Sequence, residues 1–111
     1  MLLPQQASAI VREAIEQVSE ILPVRQCWLY GSYARGDFHE ESDIDILMTA
    51  DTDEAAVGAC RTAISHISSR LSLEHDITVS IVVRSAAEFE KRAAYVPFYM
   101  NVIREGCAYA V

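Results

Sequence analysis

The sequence predicts an α/β domain, a β-sheet layered with helices, on three observations. Two long segments carry apolar residues at helical spacing, two short apolar runs punctuate the chain beside them, and residues 74–83 alternate apolar with polar. A chain of 111 residues is expected to form one domain, 1–111, because a single hydrophobic core commonly takes roughly 100 to 150 residues. Its 51% hydrophobic and 23% charged residues exclude disorder and low complexity.

From Gln5 to Leu22, Ala9, Ile10, Ala14, Ile15, Val18, Ile21 and Leu22 recur with a helical period opposite Arg12, Glu13, Glu16 and Glu20. Pro23 stops this opening helix. Gln26-Cys27-Trp28-Leu29-Tyr30 is short and apolar and runs into Gly31-Ser32, which predicts a buried strand ending in a tight turn. Ser32 to Gly36 can make one helical turn, and the polar stretch Asp37 to Ser42 reads as loop. Asp43 to Met48 resumes strand character. Between Asp53 and Leu73, Ala56, Ala59, Cys60, Ala63, Ile64, Ile67 and Leu71 are spaced as one long helix, with Asp51 as its cap and Glu54 three residues on. Glu74 to Val83 is a third strand, with Asp76, Thr78 and Ser80 on one face and Ile77, Val79 and Ile81 on the other. Ser85-Ala86-Ala87-Glu88 is a capping box that opens a short helix. Pro97 starts a last one, carrying Phe98, Tyr99, Val102 and Ile103 and ending at Gly106. Tyr95, Phe98, Tyr99 and Val102 of this region suit core packing and an interface equally.

Nine Lys and Arg against 16 Asp and Glu leave a net charge of −7, which repels a phosphate backbone and excludes a general nucleic-acid-coating role. Eight of those acids fall between Asp37 and Glu54, a stretch without Lys or Arg. Such a block directs attention to cations. Cys27, Cys60 and Cys107 form no CxxC and have no histidine at zinc-finger spacing, so they read as reduced, small apolar residues of a cytoplasmic protein. The N-terminus has no basic export signal, and no run of about 18 apolar residues predicts a membrane span.

Asp43 and Asp45, two apart on a strand, point to the same face. Set among Ile44, Ile46, Leu47 and Met48, they would repel each other and lose solvation unless a cation joined them. Mg²⁺ prefers carboxylate oxygens and keeps sites open for water and phosphate. Asp76 is the natural third ligand, because its face carries Thr78 and Ser80. Gly31 permits close backbone approach, and the Ser32 hydroxyl with nearby N–H groups can hold phosphate oxygens. Arg35, one turn on, suits either a phosphate contact or an ion pair with Asp37 or Glu40. Tyr33 suits pocket wall or packing. Arg84 and Arg92 stand within reach of a triphosphate or in solvent. His39, His66 and His75 show no ligand spacing, and Ser68-Ser69 reads as helix surface.

Taken together, Gly31-Ser32, ten residues, then Asp43-Ile44-Asp45 is the GSx₁₀DxD pattern of polymerase-β-like nucleotidyltransferases. The fuller string Gly31-Ser32-Tyr33-Ala34-Arg35-Gly36-Asp37 with Ser42-Asp43-Ile44-Asp45-Ile46-Leu47 resembles the small prokaryotic minimal nucleotidyltransferases. The resemblance implies a small mixed β-sheet flanked by helices and transfer of a nucleoside monophosphate, AMP from ATP, with release of pyrophosphate. Gly31 and Ser32, with Arg35 nearby, would hold the triphosphate. Two Mg²⁺ ions, roughly 3.5 to 4 Å apart in such sites, would sit on Asp43, Asp45 and Asp76, the last helping to activate the acceptor hydroxyl.

The same resemblance implies a partner. Minimal nucleotidyltransferases are paired with small helical HEPN proteins in toxin–antitoxin modules, where the transferase neutralises an RNase toxin by adding AMP to a tyrosine or by binding it. The expected function is therefore that of an antitoxin enzyme in a homo- or hetero-oligomer, its acidic surface complementary to a basic RNase. Two alternatives remain open: a small-molecule transferase of the aminoglycoside-modifying kind, and a non-catalytic antitoxin that acts by occlusion.

Overall fold

The computed structural model describes residues 4–36 and 43–111; the loop expected at 37–42, with Asp37, His39, Glu40 and Ser42, lies outside the described residues. Helix α1 (Pro4–Ser19) ends before Leu22 and turns Ala7, Ile10, Val11, Ala14, Ile15 and Val18 inward, while Ala9 and Ile21, expected on the apolar face, are exposed. Strand β1 (Val24–Tyr30) leads into a single helical turn, α2 (Ser32–Arg35), and β2 (Ile44–Ala50) follows. Asp43 lies just before β2 rather than on it.

The single helix expected from Asp53 to Leu73 is two, α3 (Glu54–Ala59) and α4 (Arg61–His75). The break falls at Cys60, just after Gly58, a poor helix residue. Asp53, not Asp51, is the cap, its carboxylate accepting the Ala56 N–H at 2.8 Å. Glu54 is thereby freed to accept the Ser85 N–H at 2.8 Å, tying α3 to the sheet.

The third strand also starts later than expected. Asp76 is the C-cap of α4, in the left-handed region at φ 52°, and β3 covers Val79–Ser85. Two serines of α4 explain the shift. The Ser72 hydroxyl accepts the Val79 N–H at 2.9 Å, and the Ser68 hydroxyl donates to the Val79 carbonyl, so the strand begins where α4 holds it. Ser68 is therefore a structural contact and not plain helix surface.

Helix α5 (Ala86–Ala93) opens on the expected cap, Ser85 accepting the Glu88 N–H at 3.4 Å, and α6 (Pro97–Glu105) has Pro97 in its first turn. A strand that the sequence did not announce, β4 (Cys107–Tyr109), pairs antiparallel with Cys27–Leu29. The sheet order is β3-β2-β1-β4, with β1 antiparallel to β2 and β4, and β2 parallel to β3. The parallel pair requires a crossover, which α3 and α4 supply.

The two faces hold separate cores. Leu29, Ile44, Ile46, Met48 and Val79 pack with α1 and α4. On the other face Trp28 and Leu47 pack with Phe89, Tyr99 and Val102 of α5 and α6. Trp28 and Phe89 stack with ring centroids 5.1 Å apart. The last helix divides its side chains: Tyr99 and Val102 are buried, while Tyr95 and Phe98 are 64% and 44% exposed. Burial pushes the Cys27 thiol up to about 12, and all three cysteines are free. Among the described residues no helix is long and apolar enough to cross a membrane.

Candidate active site

The β1–β2 register sets Tyr30 opposite Asp45, so the chain leaving β1 turns at Gly31 against the Asp45 carboxylate. Gly31 has φ 79° and ψ −154°, a combination that glycine alone adopts without strain. A Cβ there would stand 2.8 Å from Asp45 Oδ2. Conformation and crowding thus demand glycine independently. Ser32 begins α2 and is half-buried beside this turn, which closes on itself through Arg35 N–H to Gly31 carbonyl at 3.1 Å and Gly36 N–H to Ser32 carbonyl at 2.9 Å.

Asp43 is exposed at the entrance to β2, and Asp45 is half-buried within it. Burial pushes the Asp45 carboxyl above the usual carboxylate range, and the negative charge of Asp43 pushes it further. Both causes penalise the ionised form, and a bound cation relieves both. Carboxylate oxygens from Asp43 and Asp45 fit a hard divalent ion such as Mg²⁺.

The expected third carboxylate is not beside them. Asp76 sits exposed on the α4 C-cap, three residues before β3 begins, and it forms no three-residue ligand cluster with Asp43 and Asp45 among the described residues. The position on β3 opposite Asp45 belongs to Ser80, half-buried and on the same face. The parallel register therefore places a hydroxyl where a carboxylate was expected. Among the described residues the clustered acid and histidine ligands are Glu13, Glu74 and His75, between α1 and the end of α4, and they include neither Asp43 nor Asp45. The described side chains thus fit one ion on Asp43 and Asp45, and they add no further carboxylate for a second.

Other expected residues fall into clear places. Tyr33 is buried in the α1–α4 core and so packs, while Arg35 is exposed at the end of α2. Sequence reasoning missed Tyr30 and gave Arg84 no fixed place. Burial, then the Asp45 charge, hold the Tyr30 hydroxyl above its ordinary value, with Arg84 opposing them. Tyr30 meets Phe98 edge-on, centroids 5.5 Å apart, and Arg84 Nε donates to the Tyr99 hydroxyl at 3.2 Å. The available signal was alternation: Ser80, Val82 and Arg84 share the face of Asp45 once the strand starts at Val79.

Comparison with known proteins shows what the chain as a whole is similar to. A family profile described as nucleotidyltransferase domain matches residues 11–105. The chain is 36% identical over 84 residues to "Putative protein adenylyltransferase MJ0604" of Methanocaldococcus jannaschii, covering 75% of each. It is 38% identical over 76 residues to a second such protein of that organism, MJ0141, covering 67% of this chain and 75% of that one. Among solved structures it is similar to the toxin–antitoxin MntA-HpeT, with TM-score 0.55, 21% identity and coverage of 99% of this chain and 73% of that chain. A toxin–antitoxin structure with AMP-PNP is matched at TM-score 0.52 and 20% identity, over 99% and 75%. At these identities the solved structures bear on the fold.

Proposed function

The chain belongs to the nucleotidyltransferase domain family, and on that premise we propose that it transfers AMP from ATP to a hydroxyl of a partner protein, a tyrosine of a HEPN-type RNase toxin. The observation that carries the reading is the contact of the Gly31 turn with the Asp45 carboxylate, next to Asp43. It joins a phosphate-holding turn to a cation-binding pair in one wall. The adenylyltransferase descriptions of the two archaeal relatives support protein as the acceptor, and the toxin–antitoxin and AMP-PNP descriptions of the solved relatives support the partner and the nucleotide.

In this reading Gly31 lets the triphosphate approach the backbone, and the Ser32 hydroxyl bonds a phosphate oxygen. Asp43 and Asp45 would hold Mg²⁺, which when bound would neutralise charge on the phosphates. The acceptor oxygen forms a bond to the α-phosphorus, the bond to the bridging oxygen breaks, pyrophosphate leaves and the hydroxyl proton passes to water. Positioning and charge compensation supply the acceleration. Arg35, at the end of α2, contributes positive charge on the triphosphate side, and Asp76 stays outside the site as a helix cap.

Ser80 in place of a carboxylate favours a second reading, an antitoxin that binds nucleotide and partner but transfers slowly or not at all. Intact-mass measurement of the neighbouring gene's product separates the two, after incubation with this protein, ATP and Mg²⁺. An added AMP that disappears in Asp43→Asn/Asp45→Asn supports transfer. A stable complex of unchanged mass supports occlusion, and the absence of both added mass and complex would discard the toxin partner in favour of a small-molecule acceptor.

A further inference from the structure

Three of the chain's nine cations converge near the C-terminal end of β3. Arg84 of β3, Arg61 of α4 and Arg92 of α5 line a cavity of about 260 Å³ with Tyr99, Glu54 and Glu88. Both carboxylates are already engaged, Glu54 with the Ser85 N–H at 2.8 Å and Glu88 with Arg92 Nε at 3.4 Å. Arg84 is held in place by donating Nε to the Tyr99 hydroxyl and Nη1 to the Val83 carbonyl at 3.1 Å. Among the described residues neither Arg61 nor Arg84 has a carboxylate partner. On a chain of net charge −7, this is a local excess of guanidinium donors, with Arg84 held in place, and it suits a phosphoryl group.

A second cavity of about 280 Å³ opens from Glu54, Arg61 and Arg84 and runs along β3, which is an edge strand. The N–H groups of Val79 and Ser85 point out of the sheet, to Ser72 and Glu54. Strand alternation turns Ile81 and Val83 outward as well. Both line the cavity, and the Ile81 N–H and carbonyl and the Val83 N–H have no partner within the described residues. Edge groups left without a strand partner, half-buried at Ile81 and buried at Val83, ask for a ligand. A full added strand does not fit, because Ser68 and Ser72 occupy one end of the edge and Glu54 the other. Together the cavities reach the size of small-ligand pockets, roughly 300 to 1,000 Å³.

We infer that they bind a nucleoside monophosphate, its phosphate on Arg61, Arg84 and Arg92 and its base edge on the Ile81 and Val83 backbone. The cavity along β3 reaches Ser80, but Arg84 lies about 13 Å of strand beyond it, so the phosphate is held apart from Asp43 and Asp45 and needs no metal.

The test is a ¹⁵N NMR titration of the full chain with AMP, free of divalent ions, beside titrations with inorganic phosphate and adenosine. AMP should shift the Ile81 and Val83 amides in a saturable way, and Asp43→Asn/Asp45→Asn should give the same shifts. Arg61→Glu/Arg92→Glu should weaken AMP about tenfold or more with spectral dispersion intact; Arg61→Gln serves if that variant does not fold. The inference fails if AMP shifts only residues around Gly31, Ser32 and Asp45, or if the arginine variants bind unchanged. Inorganic phosphate binding as tightly as AMP, with Ile81 and Val83 unmoved, overturns the nucleotide assignment.

Discussion

On the face of the sheet covered by α1 and α4, the β2 side chains Ile44, Ile46 and Met48 are wholly buried among aliphatic neighbours. The opposite face, covered by α5 and α6, is aromatic, and its seal stops short: Leu47 is buried, yet Tyr30, Asp45 and Ser80 stay half-buried. One strand serves both, because alternate side chains point in opposite directions. The closed face supplies cohesion, and the partly covered one leaves room for chemistry beside a rigid backbone.

The strongest challenge to that contrast is Ile46→Ala, which opens a cavity on the sealed face. It is expected to cost about 2–5 kcal/mol, seen as a lower denaturation midpoint. A near-neutral result would mean that the α1–α4 core does not carry the fold. Gly31→Ala should cost less, about 1–3 kcal/mol from the backbone conformation, but it should also abolish stabilisation by Mg-ATP in thermal melts, since the new methyl crowds Asp45 Oδ2. Retained stabilisation would show that the turn does not border the nucleotide.

Ser80→Asp sharpens the comparison by restoring a carboxylate opposite Asp45. Calorimetry should record Mn²⁺ binding tightened by about tenfold, as expected for an added anionic oxygen ligand; unchanged affinity would place Ser80 away from the ion. The smallest effect concerns pH. The Asp45 carboxyl is raised in the folded protein, so the folded state binds its proton more tightly than the unfolded state does. Its ionisation therefore destabilises the fold above the folded value, and protonation relieves this as pH falls. Asp45→Asn should be slightly more stable than the wild type at neutral pH, with the gap closing in acid. Melting curves across pH that stay parallel would contradict the burial of Asp45.

Much of this was legible along the chain. Ile10, Ala14, Ile15 and Val18 of the α1 stripe, the cap at Ser85 and the start of α6 at Pro97 all follow from local backbone geometry and were read correctly, whereas Ala9 and Ile21 turned out exposed and the buried Ala7 and Val11 went unnamed. Gly31-Ser32 and Asp43–Asp45 were legible because their spacing spans one short connection. Asp76 misled because alternation from Glu74 onward looks like strand, whereas the serine contacts at Val79 set where α4 ends and β3 starts. The three residues of β4 carry too short a pattern to announce a strand without their partner Cys27–Leu29.

The sequence by itself determined the types of the longer elements, the family resemblance and the glycine and aspartates at the candidate site, since each rests on residues close in the chain. Tertiary structure alone decided that Ser80 and not Asp76 faces Asp45, and that Arg61, Arg84 and Arg92 share a cavity. The reason is physical. Local periodicity follows from the backbone, but strand register and helix ends are selected by burial and hydrogen bonds between distant segments.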